Sequence, residues 1–158
     1  MSIEKVRGYL EKYGVADRIQ EFDVSSATVE LAAIALGIDG ARIAKTISLS
    51  NGDGGCILVV CAGDHKIDNR KFKDRFSLKP KMLSHDEALA FTGHAVGGVC
   101  PFALPDGVPV YLDESLKRFE TVFPAAGSSN SALELTPNEL FTISGALEWV
   151  DVCKSREA

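Results

Sequence analysis

Nowhere in this 158-residue chain is there an apolar run approaching the roughly 20 residues needed to cross a bilayer. The opening Met1-Ser2-Ile3-Glu4-Lys5 also lacks the basic-then-apolar order of a secretory signal. A cytoplasmic protein with no membrane partner is the expectation. The four cysteines, Cys56, Cys61, Cys100 and Cys153, form no Cys-x-x-Cys pair and have no histidine at metal-ligand spacing. The usual structural zinc patterns are therefore absent, and free thiols in a reducing compartment are expected, with no metal and no cofactor. There is no Gly-x-Ser-x-Gly elbow, and no glycine-rich loop ends in Gly-Lys-Ser/Thr, so serine-nucleophile and Walker-type readings fall. The length fits one ordinary domain, residues 1–158, and is too short for a complete synthetase, kinase or dinucleotide-binding dehydrogenase.

What is present begins with a core: 46% of residues are hydrophobic and 25% charged, which excludes disorder. The formal net charge of −5 argues on its face against nucleic acid, and no DNA partner is expected, but the average conceals an asymmetry. Between residues 65 and 81, Lys66, Arg70, Lys71, Lys73, Arg75, Lys79 and Lys81 face only Asp68 and Asp74. That segment is +5 and the remainder −10. A basic helix on an acidic protein steers a phosphate backbone to one place, or is simply a solvated face; charge alone does not separate the two.

Periodicity predicts helices over residues 2–13, 28–36, 68–76, 84–92 and 136–144. Thr28, Asp68, Ser84 and Thr136 stand at their N-caps, and Gly37, Gly93 and Gly145 close three of them. Residues 42–50 alternate, Asn51-Gly52-Asp53-Gly54-Gly55 turns, and Cys56–Ala62 is continuously apolar, which reads as a hairpin with a buried central second strand. Further strands are expected at 108–112, 120–123, 132–135 and 147–153, with a short helix at 113–119. Short strands interleaved with short helices around a hairpin indicate a mixed α/β domain.

Lys45 stands out. In Ile43-Ala44-Lys45-Thr46-Ile47-Ser48-Leu49 the period of two places it in the row of Ile43, Ile47 and Leu49. Two readings stand: a stem lying on the core with its ammonium in water, or a cation at a pocket wall, where it meets a phosphate, carboxylate or developing oxyanion. Gly97-Gly98-Val99-Cys100-Pro101 is a Gly-x-x-x-Pro loop whose glycines permit close main-chain approach to a ligand and whose proline freezes the far end. Cys100 reads as pocket lining, and His65, His85 and His94 have no partner legible in sequence; surface placement is the expectation for His65 and His85.

These elements occur in order. Thr28-Val-Glu-Leu-Ala-Ala precedes Ala44-Lys45-Thr46; Gly97-Gly98-Val-Cys-Pro101-Phe, Val110-Tyr-Leu-Asp113-Glu-Ser, Ala125-Ala-Gly127-Ser and Thr136-Pro-x-Glu-Leu follow. Over nearly its whole length the chain resembles the YbaK/EbsC family, which includes the editing domain inserted in bacterial prolyl-tRNA synthetases. The resemblance implies a mixed α/β fold with a curved, mostly antiparallel, barrel-like sheet flanked by short helices, and no metal. It implies a free-standing, trans-editing deacylase that removes a small mischarged amino acid from tRNA for proline, with Lys45 as the catalytic residue. Phe22, Thr46, Gly97, Gly98, Val99, Cys100, Pro101, Ser128 and Asn130 are the candidate substrate-binding residues. Lys66, Arg70, Lys71 and Lys73 are the candidate tRNA-binding residues. Aminoacyl-tRNA is the implied partner, prolyl-tRNA synthetase a second. A non-catalytic module binding aminoacyl-tRNA or a synthetase, and a small-molecule esterase or amidase, are the alternatives.

Overall fold

A computed structural model describes residues 2–156. In chain order the elements are α1 (Ser2–Glu11), β1 (Gln20–Glu21), α2 (Val29–Leu36), β2 (Ile43–Ser50), β3 (Cys56–Ala62), β4 (His65–Ile67), α3 (Asn69–Phe76), α4 (His85–Thr92), β5 (Val110–Asp113), β6 (Phe123–Pro124), β7 (Ser131–Ala132), α5 (Pro137–Ser144), β8 (Glu148–Val150) and β9 (Cys153–Ser155). Single 3-10 turns occupy Ala16–Arg18, Gly40–Arg42 and Glu114–Arg118.

The ends of the helices are set locally. The Thr28 hydroxyl accepts the Leu31 N–H at 3.1 Å, and Gly37 ends α2 in the left-handed conformation. Ser84–Glu87 and Thr136–Glu139 form reciprocal capping boxes, so α4 and α5 begin where the sequence indicates. In the hairpin loop, the Asn51 side-chain oxygen accepts the N–H groups of Asp53 and Gly55 at 2.8 and 2.9 Å, closing the turn between β2 and β3.

The main sheet runs in the order β6-β2-β3-β5-β8. All seven residues of β3 are buried, because both faces are covered. On one face Ala44, Leu58, Val60 and Ala62 meet Val6 and Leu10 of α1, Phe102, and Leu140 and Ile143 of α5. On the other, Ile47, Leu49, Ile57, Val59 and Cys61 meet Phe72 of α3 together with Val150, Val152 and Cys153. A smaller cluster of Ala32, Ile43 and Phe123 ties α2 to the beginning of β2.

The mixed α/β class is as expected from the sequence, while two details of the sheet differ. The sheet is open, and within it only β2/β3 is antiparallel; β2/β6, β3/β5 and β5/β8 are parallel. Antiparallel pairing also joins β1 to β7 and β4 to β9, and it makes the isolated bridges Leu49–Met82, Val122–Leu135 and Ala125–Ala132. The long excursion between β3 and β5, which carries α3 and α4, supplies the crossover that parallel pairing requires. The strand expected at 147–153 is broken into β8 and β9, in different sheets. Buried Asp113 causes the break: its carboxylate accepts the Val152 N–H at 3.0 Å and the Ser115 N–H at 2.9 Å, fixing the chain where it leaves the sheet. The strand expected at 132–135 contracts to β7, with Leu135 bridging Val122.

Gly63 follows β3 where the chain passes under the Gly40–Arg42 turn that leads into β2. A Cβ on Gly63 would fall inside the Gly40 carbonyl oxygen and 2.9 Å from the Val29 side chain. Gly63→Ala is therefore expected to cost at least ~2 kcal/mol, read as a lowered denaturant midpoint at unchanged slope.

Candidate active site

A cleft of about 410 Å³ opens along the outer edge of β2. Its wall includes Lys45 and Thr46 from β2, Thr28 and Val29 at the start of α2, Met82 and Leu83, His85, and Gly97 and Val99 of the glycine/proline loop. It exists because β2 has no continuous outer neighbour: β6 pairs only with Ile43 and Ala44, and the next contact on that edge is the bridge from Leu49 to Met82.

Lys45 lies opposite Cys61, in the row of Ile43 and Ile47. The small cluster around α2 covers that row at one end and α3 covers it at the other, leaving Lys45 half-buried between two apolar patches at the cleft wall. None of the lining side chains is a carboxylate. Glu30 of α2 is near enough to feel Lys45: its carboxyl is held below its ordinary value by its own backbone N–H first, then by Arg156 and Lys45.

The glycine/proline loop borders the cleft by way of a turn. Gly98 N–H donates to the Ala95 carbonyl at 3.0 Å, with Gly97 at φ 94° in the third position. Gly97 and Val99 line the cleft; Gly98 does not. A Cβ on Gly98 would stand 2.9 Å from Ser128 Cα and 3.0 Å from Gly127 C, so this glycine lets two loop backbones touch. Its N–H is already engaged, and close ligand approach at Gly98, as expected from sequence, gives way to loop-on-loop packing.

The structure brings Lys45, Thr46, Gly97 and Val99 together on the cleft wall and leaves the other predicted residues out of its lining. Cys100 is fully buried against the α1 side of the sheet, so it is a core residue and not pocket lining. Burial pushes its thiol up to about 12, which leaves almost no thiolate near neutral pH. Pro101 is buried beside it. Phe22 and Asn130 bind each other through Phe22 N–H to Asn130 O at 2.8 Å and Asn130 Nδ2 to Phe22 O at 2.9 Å, while Ser128 donates to Asn130 Oδ1 at 2.9 Å. These residues staple the 22–27 segment to the 128–131 loop. The sequence gives no signal for Met82 or Val96, and reads His85 only as a helix-start residue, yet all three reach the cleft.

His94 has partners that sequence could not show. Its Nε2–H donates to the Phe102 carbonyl at 2.8 Å, with Cys100 Sγ 3.6 Å away, and its Nδ1 accepts from the Ser2 hydroxyl. One buried ring thus joins the first turn of α1 to the residues after the loop. Burial is the main cause that lowers its pKa, assisted by the Lys5 charge and opposed by the Phe102 bond.

The basic helix keeps less free charge than its sequence advertises. Lys71 donates to Asp151 and to the Cys153 carbonyl, both at 3.0 Å, and its pKa is raised by Asp151. It is therefore engaged in holding α3 to the β9 region, a different role from the free tRNA contact expected. Arg75 pairs with Glu148 and stacks over Phe76 and Tyr111. Lys66, Arg70 and Lys73 form no ion pair among the described residues.

Residues 23–143 match the family model described as the aminoacyl-tRNA editing domain, and the chain belongs to that family. It is 51% identical over 157 residues to the uncharacterized protein YwhH of Bacillus subtilis (strain 168), covering 99% of this chain and 100% of that one. It is 28% identical over 137 residues to EbsC of Enterococcus faecalis (strain ATCC 700802 / V583), provisionally named a Cys-tRNA(Pro)/Cys-tRNA(Cys) deacylase, covering 85% and 84%. A crystal structure provisionally described as a trans-editing enzyme for prolyl tRNA synthetase superposes with a TM-score of 0.86 at 29% identity, covering 98% of each chain. The chain is a tRNA-editing domain related to aminoacyl-tRNA deacylases. Among the described residues no helix is long and apolar enough to cross a membrane.

Because His94 is held neutral in the fold and has an ordinary value of 6.5 when unfolded, the unfolded chain takes up its proton first as pH falls. The His94 contribution to stability is expected to be present above about pH 6.5 and to be lost progressively as pH falls below it. Denaturant midpoints on both sides of that pH check this, and His94→Gln flattens the slope.

Proposed function

We propose that the cleft hydrolyses the ester joining a small amino acid to tRNA, that the protein acts in trans as a free-standing enzyme, and that tRNA for proline is its substrate, with prolyl-tRNA synthetase as a second partner. The observation that carries this reading is Lys45: a cation set in an apolar strand row, at the wall of a cleft that holds no carboxylate and is also lined by Gly97 and Val99. The names of the relatives support the choice of tRNA, since one is provisionally named a Cys-tRNA(Pro)/Cys-tRNA(Cys) deacylase and another is provisionally described as a trans-editing enzyme for prolyl tRNA synthetase.

The chemistry needs no protein nucleophile. An aminoacyl ester is activated and carries a neighbouring ribose hydroxyl, so holding the ester and a water in place, and stabilising negative charge as the water adds, is sufficient. Water oxygen bonds to the carbonyl carbon, the carbonyl pair moves onto oxygen, and its return breaks the bond to ribose oxygen, which takes the proton that water gives up. Lys45 supplies the positive charge near the developing oxyanion. With its thiol buried and protonated, Cys100 takes no part in this step.

Lys45→Ala is expected to abolish deacylation of mischarged tRNA while leaving the thermal transition in place. The check is multiple-turnover hydrolysis with tRNA for proline charged separately with each small amino acid. Full activity in the folded variant removes Lys45 from the mechanism, and protection of the ester by the wild type would identify a binding module. Charge reversal at Arg70 and Lys73 is expected to raise the Michaelis constant and flatten its salt dependence by roughly one log-log unit for each phosphate left without its cation, with little change in turnover at saturation. Steady-state kinetics at several salt concentrations read both quantities.

A further inference from the structure

The backbone of β2 alternates its hydrogen-bonding groups, and three observations fix which residues face outward. Asn51 N–H, just past the strand, bonds Gly55, so odd-numbered residues face β3. Ser50 N–H donates to the Lys81 carbonyl at 2.8 Å and Leu83 N–H donates to the Ser48 carbonyl at 3.1 Å, so even-numbered residues face the outer edge. Ala44 obeys the same rule, since its outward groups meet β6. Thr46 lies between these two contacts. Its N–H and C=O both point out of the sheet into the cleft, and neither has a protein partner among the described residues.

We infer that the main chain of Thr46 receives the aminoacyl group as if it were one more residue of the sheet. The inference rests on the deacylase reading above and deepens it by naming what the site reads. In an antiparallel hydrogen-bonded pair, one residue exchanges two bonds with the residue opposite at a Cα separation of about 5.5 Å. An aminoacyl ester carries the same two groups at the same spacing. Its α-amine donates to the Thr46 carbonyl, and its ester carbonyl accepts the Thr46 N–H, which then faces the oxygen on which negative charge develops. A group opposite Thr46 in this pairing puts its side chain on the Thr46 face of the sheet. Recognition is thereby of the amino-acid main chain, with no need for the carboxylate that the cleft lacks.

The test uses the substrate first. Wild-type protein is assayed on the aminoacyl-tRNA it hydrolyses fastest and on the tRNA ester of the corresponding des-amino acid: propionyl for alanyl, 3-hydroxypropionyl for seryl, 3-mercaptopropionyl for cysteinyl. Each rate is normalised to that ester's spontaneous hydrolysis. A loss of at least ~10-fold in kcat/KM without the α-amine is expected. Equal normalised rates overturn the inference and leave the deacylase intact, whereas no hydrolysis of any aminoacyl ester overturns both. The N–H is tested by Thr46→Pro, which removes a donor from an edge position without taking a bond from the β2/β3 ladder. Thr46→Val removes the hydroxyl and keeps the amide. Thr46→Pro is expected to turn over about 100-fold more slowly than Thr46→Val at saturating substrate. Equal turnover in the two folded variants excludes the N–H from the step, and if Thr46→Pro does not fold, the des-amino comparison decides.

Discussion

The antiparallel register of β2 on β3 is the constraint on which the rest of the protein depends. Ile47 pairs with Val59 and Lys45 with Cys61, and because side chains alternate, this register assigns each β2 residue to a face of the sheet. A slip of one residue would carry Lys45 to the α1 side, into a layer closed by Val6, Leu10, Phe102 and Leu140. It would also turn the outward backbone groups of Thr46 toward β3. The loop closed by Asn51 and the burial of β3 on both faces hold the register, so the hairpin core and the geometry of the cleft wall are stabilised by the same contacts.

The cleft is an interruption of the sheet. β6 stops after two residues and the 81–83 segment rejoins the edge only at the far end of β2, leaving a short stretch of strand uncovered. Unpaired strand edges are a hazard for association, and proteins normally cover them. Here loops frame the gap closely. Gly97 faces Ala27 and the Ser129 side chain, Gly98 faces the 127–128 backbone, Gly127 sits against Val6 and the Ser2 carbonyl, and His94 ties Ser2 to Phe102. The far wall of the cleft is thus anchored to α1 through close backbone contacts and one buried imidazole.

Charge is distributed by a similar division of labour. Lys71 and Arg75, on the flanks of α3, are committed to Asp151 and Glu148 and to the aromatic pair Phe76 and Tyr111. Arg70 and Lys73 remain outside these pairs. In the proposed function these two cations meet the tRNA backbone, and such phosphate contacts are strong at low salt and screened at higher salt.

Local chemistry was legible because it is decided within a few residues. The caps at Thr28, Asp68, Ser84 and Thr136, the Asn51 turn, the buried β3 run and the odd placement of Lys45 all follow from short-range sterics, hydrogen bonding and a period of two. The family, too, was carried by motifs in sequence order. Contacts between distant segments were not legible. The Cys100 motif alone does not say whether its thiol faces a ligand or the core; in the fold it joins the core layer that also holds Val6, Leu10, Leu140 and Ile143 from distant helices. Gly98 needs its missing Cβ because of Ser128, His94 finds its hydroxyl on Ser2, and Lys71 meets Asp151, each across at least 30 residues. Short-range chemistry set the helix ends, the hairpin and the residue types available at the cleft, while the breaks in the later strands came from long-range contacts such as Asp113 with Val152. Only the tertiary structure decided which residues share a cleft, because that depends on where crossovers return the chain and which strand edge they leave uncovered.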